Sequence, residues 1–140
     1  MNRGKLAAQL TIDEGNRPRI YVDTVGKITG GVGRNLTDRG FSDDEIALML
    51  SNDITSAERD LDRNLSWWRS LTDARQNVLA NMCFNLGISR LLAFKNTLAF
   101  MKAHQYAAAA EGMLDSKWAK QVGQRAIRLA EMMRTGEFLK

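Results

Sequence analysis

In the stretch TIDEGNRPRIYVDTVGKITGGVGRNL, residues 11–36, a glutamate, an aspartate and a threonine occupy positions 14, 23 and 29 among glycines and β-branched residues. Glu14 falls at the end of a helical pattern, where the partial negative charge of the carbonyl end disfavours ionisation and suits a proton donor. Asp23 lies at the turn-proximal end of a strand pattern, the exposed, polar kind of position where a carboxylate stays charged. Thr29, on the next strand, could hold a water by its hydroxyl. An acid and a charged base across a gap are what glycosidic cleavage requires: one protonates the leaving oxygen, the other activates water or stabilises the oxocarbenium-like transition state. A helix-end glutamate and a turn aspartate with no chemistry fit the same positions, and spacing alone leaves both readings open.

The elements that must position these residues are legible in outline. Lys5 to Glu14 predicts a short helix with Leu6 and Leu10 on one face, stopped by Gly15 and kept stopped by Pro18. RIYVDT and KITGGVG, separated by a turn at Thr24 to Gly26, predict a β-hairpin. From Ser42 the period changes: SDDE has the form of a capping box, and Ile46, Leu50, Ile54 and Leu61 follow at helical spacing to about Asn64. WWRSL reads as a connection whose aromatics pack between helices. Thr72 and Asp73 open the helix TDARQNVLANMCFNLG, apolar on more than one face and therefore central, so its polar Asn81 and Asn85 need partners. Further helices are expected at about Phe94 to Ala103, Gln105 to Leu114 and Gln124 to Arg134, with AAAA at 107–110 as a tight helix contact. The predicted fold is α+β, mainly α. A small amino-terminal lobe of helix and hairpin, about 11–41, joins an all-helical lobe, about 64–140, through a connecting helix, about 42–64. The first helix is expected to pack near the larger lobe, and a cleft between lobes would be the natural ligand site.

Composition narrows the class. At 140 residues, 44% hydrophobic and with one proline, the chain predicts a single ordered domain rather than a disordered one. No apolar run approaches the ~18 residues of a membrane span. Cys83 and His104 stand alone in their types, which excludes an internal disulfide and leaves a metal site without its usual ligands. Cys83 reads as a small buried apolar residue, and the methionines, Met132 and Met133 included, as core filler. The net charge of +4 points to an anionic partner without choosing among nucleic acid, membrane face and cell wall. The absence of a basic recognition helix speaks against nucleic acid. GGVGR lacks the lysine and hydroxyl of a phosphate loop, and glycines approached by sugar rings explain it better.

The order Glu14, Asp23, Thr29 within DEG…R.YVDTVGK.T.GVG closely resembles the phage-type lysozyme (endolysin muramidase) family. FKNTL, SKWAKQ and RAIRLAEMMRTGEF, with the central helix before them, resemble its helical lobe in the same order, so the likeness spans nearly the whole chain. The resemblance implies a lysozyme-like fold and cleavage, with inversion, of the β-1,4 bond between N-acetylmuramic acid and N-acetylglucosamine in peptidoglycan. It makes Glu14 the general acid, Asp23 the opposing carboxylate and Thr29 the residue that places the attacking water. It implies no metal or organic cofactor.

By the same resemblance Asn35, Phe84, Asn85 and Thr97 match substrate-contacting positions, with packing or capping as the alternative for each. Arg125 resembles an arginine that reaches the catalytic glutamate, and Arg128 the partner of Asp13. An arginine beside Glu14 would lower its pKa and oppose the helix-end effect. The sequence also departs from the family. Where many relatives carry a histidine paired with an aspartate, this chain has Arg34, and Asp53 is the matching carboxylate; the expectation is an Arg34–Asp53 pair that no longer titrates near neutrality. The short segment between Leu36 and Ser42 predicts that a third strand and small helix are trimmed.

The absence of an apparent leader predicts synthesis in a host cytoplasm, access to the wall through a separate holin, and bacteriolytic action as a monomer without nucleic-acid binding or membrane insertion. A lytic transglycosylase and a catalytically silent wall-binding module are the alternatives.

Overall fold

The computed structural model describes residues 1–139, which fall into two units, Met1–Met49 and the chain from Leu50 onward. In the first unit, α1 (Arg3–Glu14) starts where the Asn2 side chain accepts the Lys5 N–H at 2.9 Å, and it stops at Gly15, whose φ of 81° an L side chain rarely adopts. The helix buries none of its residues. Strands β1 (Arg17–Val22), β2 (Ile28–Gly31) and β3 (Arg34–Asn35) form one antiparallel sheet in that order, with Tyr21 opposite Thr29 and Thr29 opposite Asn35.

The predicted hairpin is therefore two-thirds of a sheet, and the expectation that a third strand and small helix are trimmed is corrected. Both are present in minimal form, as β3 and the one-turn α2 (Leu36–Arg39). A few residues suffice because side chains replace missing ladder length: Asn35 Oδ1 accepts the Asp38 N–H at 3.0 Å, and Thr37 Oγ1 accepts the Ile28 N–H at 2.8 Å.

Helix α3 (Asp43–Asn64) begins in the first unit and continues into the second. Its amino-terminal turn carries Asp43, Asp44 and Glu45, which complement the positive end of the helix dipole. Half of the predicted capping box forms: Glu45 accepts the Ser42 N–H at 2.8 Å, but the Ser42 hydroxyl donates to Asp44 and Glu45 instead of accepting a backbone N–H. Carboxylates outcompete it as acceptors.

The second unit adds α4 (Asp73–Leu86), α5 (Ile88–Leu92), α6 (Lys95–Lys102), α7 (Tyr106–Leu114), α8 (Lys117–Val122) and α9 (Gln124–Thr135). WWRSL becomes a 3-10 turn with Trp68 buried, its indole N–H donating to Asp62 at 2.7 Å and Arg69 stacked 4.5 Å over its ring. Helix α4 is central as expected: Val78, Leu79 and Met82 are fully buried and Cys83 nearly so. Burial pushes the Cys83 thiol above its ordinary pKa, in keeping with an inert core residue. The alanine run also behaves as expected, with Ala109 and Ala110 buried in α7, which packs on α6 and α9.

The ends of this unit are stitched together. Arg75 on α4 lies 3.4 Å over the Tyr106 ring and donates to the carbonyls of Met133 (2.8 Å) and Arg134 (3.1 Å), while the Thr72 hydroxyl donates to the Gly136 carbonyl (3.0 Å). These donors satisfy carbonyls that the last turn of α9 leaves free. No described helix is long and apolar enough to cross a membrane.

Candidate active site

The first unit positions Asp23 and Thr29 through the backbone of one residue, Lys27. The Lys27 N–H donates to Asp23 Oδ1 at 2.8 Å, and the Lys27 carbonyl accepts from both the Asp23 N–H (2.8 Å) and the Thr29 hydroxyl (3.2 Å). Val25 adds a second N–H to the same Asp23 oxygen at 2.9 Å. This turn is the kind that aspartate forms locally, and Gly26 completes it at φ 83°. Its result is a carboxylate with Oδ1 committed to the backbone and Oδ2 available. Thr29 is buried at 4% exposure, and with its proton committed to Lys27 its oxygen keeps lone pairs for accepting a further hydrogen bond.

Glu14 is presented differently, on the last residue of α1 with its side chain exposed. Against it lies Gly33, in the turn between β2 and β3. A Cβ on Gly33 would stand 2.8 Å from Glu14 Oε2 and 2.9 Å from Glu14 Cδ, and the φ there is 65°. Only glycine both makes this turn and leaves the carboxyl its place. Sequence reasoning treated GGVG as room for substrate; the close neighbour of Gly33 is the glutamate itself. Nothing in the local pattern pairs residues 14 and 33, so the signal was absent.

The ion pair expected between Arg34 and Asp53 is corrected. Arg34 pairs with Glu45 and also donates to the Gly40 carbonyl at 3.3 Å. The Arg34 hydrogen bond, followed by those from Ser42, holds the Glu45 carboxyl down at about 2. The capping glutamate thus does double duty, eight residues before Asp53, which is exposed on α3.

The other expected positions divide. Asn35 is half-buried and caps α2, with its amide also donating to Asp38 Oδ2 at 2.9 Å, so the capping alternative describes it. Phe84 is 48% exposed on α4. Asn85 accepts from the Trp118 indole at 2.8 Å and Asn81 accepts twice from Arg125, at 2.9 and 2.7 Å, which supplies the partners both asparagines needed. Arg125, expected beside the catalytic glutamate, spends those donors on Asn81. Thr97 is 6% exposed, and its hydroxyl fills the space where a Cβ on Gly112 would stand, so the packing alternative describes it. Asp13 on α1 and Arg128 on α9 are both exposed.

Comparison with known proteins identifies the family. The family model described as "Phage lysozyme" matches residues 11–134. The chain is 24% identical to "Probable T4-type lysozyme 1" of Dictyostelium discoideum, over 91% of this chain and 92% of that protein, and 25% identical to "Probable T4-type lysozyme 2" of the same organism, over 94% of each. It is also 25% identical to "Pre-baseplate central spike protein Gp5" of Enterobacteria phage T4, over 94% of this chain and 28% of that protein. A match covering almost the whole fold, with Glu14, Asp23 and Thr29 inside it, means that the chain belongs to the phage lysozyme family.

Proposed function

We propose that the chain is a peptidoglycan hydrolase of the muramidase type, cleaving the β-1,4 bond between N-acetylmuramic acid and N-acetylglucosamine with inversion. The observation that carries the reading is the backbone of Lys27, whose N–H and carbonyl hold Asp23 with one free carboxylate oxygen and Thr29 with free lone pairs. In this reading Glu14 protonates the leaving glycosidic oxygen. Thr29 accepts a hydrogen bond from the attacking water and aligns it, and Asp23 Oδ2 takes the proton or faces the developing positive charge on the sugar. Gly33 supports the scheme by leaving Glu14 its room. Glu14 acts from a helix end and Asp23 from a turn, where side chains reach a ligand without breaking a ladder, while Thr29 acts from within β2.

The purified chain, incubated with peptidoglycan, is expected to release muropeptides with reducing ends in the α-anomeric configuration first formed by inversion. Mass spectrometry and proton NMR of the fresh products read both. Anhydro ends would establish a transglycosylase instead, and absence of cleavage by a protein that still sediments with the wall would establish a binding module. For its biological setting we propose bacteriolytic action on a host cell wall, reached from the cytoplasm through a separate holin, by a monomer with no resident cofactor.

A further inference from the structure

We propose that the sheet face opposite Thr29 is a docking site for anionic phospholipid, with the phosphate held by Arg19 and Arg39 and the glycerol and acyl end resting on Ile20, Leu36 and Phe41. Successive residues of a regular strand point to opposite faces, but the register of β1 is irregular between Arg17 and Tyr21, and Arg19 there lines the cavity on the Gly30 side together with Ile20. Thr29 shares its row with Tyr21 and Asn35, whereas a Cβ on the neighbouring Gly30 would meet Ile20 Cγ2 and Leu36 Cδ1, each at 3.5 Å. The face on the Gly30 side carries a cavity of about 540 Å³, lined by residues of the first unit alone.

Its chemistry is two-sided. The floor is apolar and open to solvent, with Ile20 at 67% and Phe41 at 50% exposure. Around it stand Arg17, Arg19, Arg34 and Arg39 against one carboxylate, Glu45. Glu45 is taken by Arg34, and Arg17 stacks 4.6 Å over the Tyr21 ring. Arg19 and Arg39 keep unneutralised guanidinium groups among the described ion pairs. An apolar occupant would strand these charges, and a free phosphate would leave the floor in water. A phosphodiester with an apolar tail satisfies both, since guanidinium holds phosphate bidentately and exposed aliphatic and aromatic side chains settle at the acyl boundary. The site is independent of the hydrolase reading.

Flotation of the full chain with vesicles tests it. Binding to phosphatidylglycerol–phosphatidylcholine vesicles is expected, with weak binding to phosphatidylcholine alone. The double variant Arg19→Glu/Arg39→Glu is expected to bind at least about tenfold more weakly, and Lys117→Glu/Lys120→Glu, an equal charge change on α8, less than about twofold. Ile20→Ser/Phe41→Ser, which leaves the charge intact, is expected to lose about tenfold through the apolar part. Glycerol phosphate in millimolar excess should not displace the protein. Equal losses in both charge-reversal pairs would reduce the effect to net charge and overturn the site. Displacement by glycerol phosphate, or an unaffected Ile20→Ser/Phe41→Ser protein, would make it a soluble-phosphate site and overturn the lipid. All substituted residues except Ile20 and Phe41 are charged and exposed, and far-UV circular dichroism checks that each variant is folded before binding is read.

Discussion

The two units are built by different means. In the first, only Thr29 and Gly30 are buried, and the sheet and its turns are held by side-chain hydrogen bonds and ion pairs such as Lys27–Asp38, at 3.1 Å, and Arg34–Glu45. In the second, Leu61, Val78, Leu79, Met82, Leu91, Met101, Met113 and Met133 are all fully buried in one apolar cluster. Exposed ion pairs contribute about 0–1 kcal/mol each, whereas a fully buried Leu or Met contributes about 2–3 kcal/mol. The polar unit therefore fixes where groups point, and the apolar unit supplies most of the stability. Chemistry and stability should separate under mutation.

The sharpest break is Glu14→Gln. Loss of the proton donor should lower the cleavage rate by about 10²–10⁴-fold with an unchanged melting temperature, read by muropeptide release and calorimetry. A Glu14→Gln protein with undiminished activity would remove the acid assignment. The mirror experiment is Met82→Ala, which should cost about 2–5 kcal/mol in urea unfolding while kcat at low temperature stays near its original value. Next comes Gly33→Ala. Its Cβ pushes on the Glu14 carboxyl, so a fall in kcat of about tenfold is expected together with about 1 kcal/mol of backbone strain. A stability loss without a rate loss would show that Gly33 matters to the turn alone.

The smallest effect tests the ion pair of the polar unit. With the Glu45 carboxyl held at about 2, below its ordinary 4.5, the pair's contribution is complete above about pH 4.5 and is lost as pH falls towards 2. Arg34→His should move that behaviour upward: a histidine raised by Glu45 stabilises below its unfolded pKa near 6.5 and loses the contribution as pH rises through its folded value. The melting temperature of the variant should then decline by a degree or so across neutrality where the parent stays flat.

Much of this was readable from residue order. Gly15, Pro18, Ser42 with Glu45, and the apolar run of α4 each carry a local physical signal, and the helix, hairpin and central helix follow from them. The short α5 and α8 escaped because helices of five and six residues show less than two turns of periodicity. Ser116 capping α8 at 3.1 Å was the one available hint. At the site, the local turn of Asp23 was legible, but partner choice was not. Glu45 and Asp53 are both carboxylates on one predicted helix, and which one Arg34 meets depends on the turn at Gly40, not on composition. The packing of Thr97 was illegible for a similar reason: a hydroxyl's burial depends on its neighbour across two helices, here a glycine fifteen residues later.

The stitch between α4 and α9 sets an order of events during synthesis. The bond from Thr72 to Gly136 closes over 64 residues, and Arg75 reaches Met133 and Arg134 across 58 and 59. Until the last turn of α9 has left the ribosome, Arg75 has no carbonyls to hold and α4 has no finished neighbour on that side. Contacts this distant in sequence form late, because the intervening chain must be ordered before they are rewarded. The helical unit thus completes itself only when residues 133–136 have been made, and a chain cut before Met133 would lack all three bonds.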